Sequence, residues 1–208
     1  MARQRPVTAD TVLWQYEPEA HDDIASRTLG FWLYMMSDAL IFAALFAAYG
    51  VLDHWYNQAG GPGARQIVHP IDGFWQTLAV MTSVFAYSLA TVAMKLRSQP
   101  GVILYTAIAL VLGLVFLGLE LGDFARLIAE GDGPDRSGFL SVFFVLIATH
   151  GLHMVFGILW MLVMIVQVAR SGFTSNVVAR LLNLRMFWQF QASVWVCVYV
   201  FVYLRGAF

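Results

Sequence analysis

The chain has 208 residues, 60% of them hydrophobic and 12% charged, with a mean hydropathy of +0.69 and a formal net charge of -1. A water-soluble domain is about half apolar and about a quarter charged, so the surplus hydrocarbon here has to face lipid. Near-neutral charge without a basic patch gives nucleic-acid binding no electrostatic support. The single cysteine, Cys197, rules out an intrachain disulfide and a cysteine metal cluster, and its apolar surroundings read as those of a small buried hydrophobe.

Residues 1–28 are polar and mixed in charge, with Arg3, Arg5, Asp10 and Glu17 where a secretory leader would need an apolar core. They read as a cytoplasmic tail with no cleaved leader, ahead of a five-helix transmembrane domain over 29–208. Five apolar stretches follow, at Leu29–Leu52, Phe74–Met94, Val102–Phe124, Phe139–Ala169 and Met186–Leu204. Each approaches or exceeds the ~20 residues that a helix needs to cross the hydrocarbon layer, and the fourth is long enough to tilt or project. The connections are loops by composition. Asp53–Gly73 holds Gly60, Gly61, Pro62 and Gly63, Ser98–Gly101 is a tight hairpin around Pro100, Gly131–Gly138 is a compact turn, and Arg170–Arg185 is polar and basic. With the N-terminus inside, the basic residues divide eight inside to four outside, which accounts for all 12 Lys and Arg. The positive-inside rule then favours a cytoplasmic N-terminus and, after five crossings, a periplasmic C-terminus.

Few polar groups interrupt the spans. Asp38 is alone in the first, and a carboxyl at that depth faces protein or water. It reads either as a neutral acid that bonds a neighbouring helix or as a group that handles protons. His150 and His153 lie three apart in the fourth span, on one face with Gly157, whose small side chain admits a partner helix. They suit hydrogen bonding between helices better than a metal site, which needs three or more ligands on one centre. Glu120, Asp123 and Arg126 fall at intervals of three near the outer end of the third span, either as an interfacial charge ladder or as a seat for a lipid headgroup or partner subunit. Gln189, Gln191 and Ser193 open the last span among Phe187, Trp188, Phe190 and Trp195, which read as an aromatic belt at the membrane surface. Helical rise of ~1.5 Å per residue puts Asp38 and His153 each ~21 Å from the outer ends of their helices, so the two are expected to pair if the helices are upright and adjacent.

Several segments together resemble subunit III of the haem-copper oxidases, and most closely its bacterial quinol oxidase branch, that of the cytochrome o ubiquinol oxidases. They are Gly30-Phe31-Trp32-Leu33-Tyr34-Met35-Met36-Ser37-Asp38, Phe116-Leu117-Gly118-Leu119-Glu120, Gly133-Pro134-Asp135-Arg136-Ser137-Gly138-Phe139-Leu140-Ser141 and Thr149-His150-Gly151-Leu152-His153. The resemblance covers about residues 29–206. It implies an all-α, five-helix form of the subunit III fold, equivalent to the last five helices of seven-helix relatives, with a V-shaped cleft that holds lipid. It carries Asp38, Glu120, His150 and His153 onto the family's buried polar positions. Asp123, Arg126, Arg136 and Gln189 are then candidates for lipid or subunit contacts. One departure concerns the last helix. The family usually reads Phe-Trp-His-Phe, then a hydrophobe, then Asp, whereas this chain has Gln189 and Ala192 in place of the imidazole and the carboxylate.

The resemblance implies a non-catalytic subunit of a proton-pumping ubiquinol oxidase in a bacterial inner membrane. No cofactor is expected in this chain. Haems and copper are expected in the partner subunit I, and subunits I, II and IV and membrane phospholipids are the expected partners. Subunit III of a cytochrome c oxidase, or of a nitric-oxide-reductase-associated homologue, is the nearest alternative. A secondary transporter would show repeats and paired broken helices, which are not found. An intramembrane metalloenzyme would have to rest on His150 and His153.

Overall fold

The computed structural model describes residues 23–207, with side chains from 26 to 206. Five long helices go up and down the bundle: α1 (Asp23–Leu52), α3 (Pro70–Lys95), α4 (Gln99–Ala129), α5 (Gly138–Ser171) and α6 (Ser175–Val198). α6 continues through a wider π turn, Tyr199–Leu204, into the short α7 (Arg205–Ala207). The connection after α1 carries a 3₁₀ turn, Trp55–Asn57, and one helical turn, α2 (Ala64–Ile67). All five long helices are long and apolar enough to cross a membrane. The expected all-α architecture of five spans is therefore the one observed. The short α2 and α7 lie together at one end of the bundle, the distal end, opposite the start of α1.

The boundaries differ from expectation wherever polar residues sit on helical turns. Residues 1–22 of the expected tail lie outside the described residues, while 23–28 already belong to α1. There Arg27 donates to Asn176 Oδ1 and ties α1 to the start of α6. α4 begins at Gln99, because Ser98 caps it by accepting from the Gly101 N–H and Pro100 falls in the first turn, where a missing N–H costs nothing. The largest correction concerns 170–185, expected as a loop. Only Gly172–Thr174 separates the helices, and α6 starts about three turns before Met186. Its polar Arg180, Asn183 and Arg185 alternate with Val177, Val178, Leu181, Leu184 and Trp188, which recur at helical spacing and are buried.

α3 pairs with α4 along their length, α4 packs on α5, α5 on α6, and α3 also reaches α6. α1 is peripheral and packs on α5 and α6. Its buried residues form one stripe, Met35, Asp38, Phe42 and Tyr49, and its other faces are exposed. In the centre the Trp188 indole enters between Gly113 of α4 and Gly157 of α5. A Cβ at Gly157 would lie 2.6 Å from the Trp188 ring, and one at Gly113 would lie 3.0 Å from it. Trp188 Nε1 donates to Ser83 Oγ at 2.9 Å, and that hydroxyl donates to the Ala109 carbonyl at 2.7 Å. One side chain of α6 thus fixes α3, α4 and α5 together, and Gly157 admits a ring where a partner helix backbone was expected. Trp195 is also fully buried, with Nε1 donating to Thr77 Oγ1 at 3.0 Å. These tryptophans are core, not a surface belt, because each indole N–H finds a hydroxyl acceptor on α3. Cys197, expected to be buried, is exposed. It lies on the exposed side of α6 with Ser193 and Val196.

Candidate functional site

Asp38 and His153 meet between α1 and α5, with His153 Nε2 3.1 Å from Asp38 Oδ1. Asp38 is 4% exposed and its other oxygen has no hydrogen-bond partner among the described residues. The imidazole is held by its own helix, since Nδ1 lies 2.7 Å from the Thr149 carbonyl. A carbonyl only accepts, so Nδ1 carries a proton and donates it there. The contact between Nε2 and Asp38 then contains one further proton, held as an acid O–H donating to Nε2 or as an imidazolium N–H donating to the carboxylate. With no proton the two lone pairs would face each other. A proton on either partner completes the contact as a hydrogen bond between α1 and α5. Phe42 covers it, its ring centroid 5.3 Å from that of His153. On the other side His153 reaches a groove of about 510 Å³ between α1 and α5, walled by Phe31, Tyr34, Phe156, Trp160 and Phe187.

His150 shares a helix face with His153 in sequence but serves a different neighbour. Its Nε2 donates to the Gln191 carbonyl of α6 at 3.1 Å, and its ring packs against Phe116 and Trp195. The Gln191 side chain is fully buried and makes no hydrogen bond among the described residues. Glu120 is 3% exposed and lies against the α5 backbone at Gly151, where an added Cβ would be 3.0 Å from each carboxyl oxygen. Neither oxygen has a hydrogen-bond partner among the described residues. Glu120 also lines a cavity of about 10 Å³ with Phe143, Ile147 and Tyr203, which is close to the space one water needs.

The expected ladder of Glu120, Asp123 and Arg126 is divided. Asp123 turns to α3, where it accepts from Gln76 Nε2 at 2.8 Å, and it pairs with Arg126 at 3.4 Å. Arg126 also approaches Asp72 of α3 at 3.9 Å. Glu120, three residues earlier, faces α5 instead. Gln76 is 1% exposed, and in the sequence it is a lone uncharged residue near the start of an apolar stretch with no spacing partner to mark it. A matching depth would have found it, since Gln76 lies six residues from the start of α3 and Asp123 six from the end of α4. Arg136 pairs with Asp132 and packs on Gly61, which joins two distal loops. Gln189 is half-buried, and its carbonyl accepts from Ser193 Oγ. Ala192, at the position of the family's carboxylate, is buried among apolar neighbours. Among the described residues no group of three or more His, Cys, Asp and Glu converges as metal ligands.

The family model for cytochrome c oxidase subunit III matches residues 19–207. The chain is 41% identical over 188 residues to the cytochrome bo(3) ubiquinol oxidase subunit 3 of Pseudomonas aeruginosa, spanning 90% of this chain and 89% of that one. It is 44% identical over 182 residues to the protein of the same name in Buchnera aphidicola subsp. Baizongia pistaciae, spanning 88% and 93%. To the cytochrome c oxidase subunit 3 of Bacillus sp. (strain PS3) it is 32% identical over 206 residues, spanning 99% of each chain.

Proposed function

Because this multi-pass membrane protein belongs to the cytochrome c oxidase subunit III family, we propose that it is subunit III of a proton-pumping haem-copper ubiquinol oxidase in a bacterial inner membrane. The observation that carries this reading is the likeness, over nine-tenths of the chain, to relatives named as ubiquinol oxidase subunits. In this reading the chain binds no redox cofactor and does no electron transfer itself. Haems and copper reside in subunit I, and the chain assembles with subunits I, II and IV and with phospholipid. Its N-terminus is cytoplasmic and its C-terminus periplasmic, as the basic residues favour.

The work of this chain is then structural and protonic. The Asp38–His153 contact docks the peripheral α1 onto α5 with one shared proton, so α1 keeps its register without an unpaired carboxyl in hydrocarbon. The groove beside His153 offers an apolar bed for an acyl chain, in line with the lipid cleft that the family implies. Exposed apolar faces on α1 and α3 provide the surface for a larger helical partner and for lipid.

The test is affinity purification of the tagged chain from membranes in mild detergent. The expected result is a complex that contains a haem-bearing multi-helix subunit and consumes oxygen with ubiquinol. The chain dissociated from it should show no haem absorbance. Oxygen consumption with reduced cytochrome c and none with ubiquinol would favour the cytochrome c branch, to which the Bacillus relative belongs by name. Purification without any haem-bearing partner would overturn the assignment.

A further inference from the structure

A second concavity, of about 310 Å³, opens near the distal end between α3 and α4, away from the groove beside His153. Asp72, Gln76, Asp123 and Arg126 supply its polar wall, and Trp75 and Leu119 its apolar one. The polar groups are incompletely used. Gln76 is 1% exposed, and its Oε1 has no hydrogen-bond partner among the described residues, nor has Arg126 Nε. Arg126 holds Asp123 at 3.4 Å and Asp72 at 3.9 Å, both long for a charge-assisted bond. The guanidinium has five donors, and two carboxylates oppose its single charge. Such a site accepts a group that brings a cation to the carboxylates and acceptor oxygens to the guanidinium at the same time.

The walls extend the argument. Trp75 and Leu119 are 55% and 41% exposed at the rim. Toward the middle of the bundle Leu78 and Phe85 of α3 and Val115 and Val111 of α4 are exposed and apolar, and supply a track for a hydrocarbon chain. The site begins only a turn or two inside the helix ends, at the depth where headgroups meet hydrocarbon, and a rim tryptophan suits that depth. An inorganic cation would leave Arg126 and the track unused, and an anion would meet two carboxylates.

We propose that this concavity binds the headgroup of a zwitterionic aminophospholipid, its ammonium between Asp72 and Asp123, its phosphate on Arg126, and one acyl chain along the track between α3 and α4. The inference rests on the membrane setting of the proposed function and is independent of the electron donor.

The experiment is native mass spectrometry of whatever purified complex carries the chain, delipidated and then returned to defined lipid. In phosphatidylethanolamine the unsubstituted complex is expected to retain one more lipid than complexes with Asp72→Asn or Arg126→Gln. A parallel measurement needs no variant. In equimolar phosphatidylethanolamine and phosphatidylcholine, the first should be retained about tenfold more, because a trimethylated ammonium donates no hydrogen bond and one strong bond is worth about a factor of ten. Equal retention of the two lipids, or of phosphatidylglycerol, would overturn the proposal, as would equal lipid counts in complex and variants. Loss of another subunit together with the lipid would assign the surface to a protein partner and overturn it too. A chain that purifies without a haem-bearing subunit refutes the oxidase assignment and leaves this lipid count as a separate result.

Discussion

Removing Asp38 breaks the polar contact that joins α1 to α5 among the described residues. In Asp38→Ala the His153 Nε2 loses its partner at 3.1 Å, while Nδ1 stays on the Thr149 carbonyl and keeps the ring in place. A lost hydrogen bond that strands a buried partner costs about 1–3 kcal/mol, and a stranded charge about 3–5 kcal/mol. His153→Ala strands the Asp38 carboxyl, which is the more buried of the two, and is expected to cost at least as much. The double substitution removes both stranded groups, so its cost should fall short of the sum by about 1.5–3 kcal/mol. Asp38→Asn should be much milder than Asp38→Ala, because the amide N–H can donate to the Nε2 lone pair. The assay is retention of this chain in the purified complex across an SDS titration, with the haem spectrum recorded alongside and expected to be unchanged. Additive losses, or an Asn variant as weak as the Ala variant, would refute the pairing as the source of the stability.

Gly157→Ala drives a Cβ to within 2.6 Å of an indole pinned by Ser83, so it should destabilise the bundle by about 1–3 kcal/mol. Gly118→Ala, with nothing within 4 Å of its added Cβ, should be neutral or slightly stabilising in the same SDS titration. Equal behaviour of the two would sink the account of Trp188 as the central wedge. Gly151→Ala places a methyl 3.0 Å from both Glu120 oxygens and should cost about 1–2 kcal/mol. Glu120→Ala in the same chain should recover part of that loss, and no recovery would mean that Glu120 is not the group displaced. A periplasm-specific reporter fused after Phe208 should be active, and activity confined to a cytoplasm-specific reporter would invert the topology.

The five spans were legible because lipid imposes a coarse requirement, some 20 apolar residues in a row, that composition cannot hide. Helix ends were less legible, because outside the hydrocarbon a helix obeys other rules. Arg180, Asn183 and Arg185 lowered the hydropathy of the first turns of α6, although the buried stripe Val177, Leu181, Leu184 and Trp188 was already helical in its spacing. The aromatics of α6 misled for a related reason. Hydropathy reports what can enter a membrane, while Trp188 and Trp195 were placed by hydroxyl acceptors on another helix, 105 and 118 residues away in sequence.

Depth carried more information about the site than local spacing did. Asp38 and His153 belong to antiparallel helices, and their distance from the helix ends predicts the contact that forms. The same argument, applied to amides as well as ionisable groups, reaches Gln76 and Asp123. Spacing on one helix finds the Asp123–Arg126 pair but not the helix that each polar residue meets. Residues three apart share a stripe, yet Glu120 and Asp123 meet different helices, and so do His150 and His153. A separation of ~60° around the axis suffices for this when a neighbouring helix packs on either side. In a bundle of this kind each buried polar residue is therefore assigned by its depth and by the helix it faces. Glu120 is such a case, its carboxyl set against the α5 backbone at Gly151 while Asp123, one turn on, meets α3.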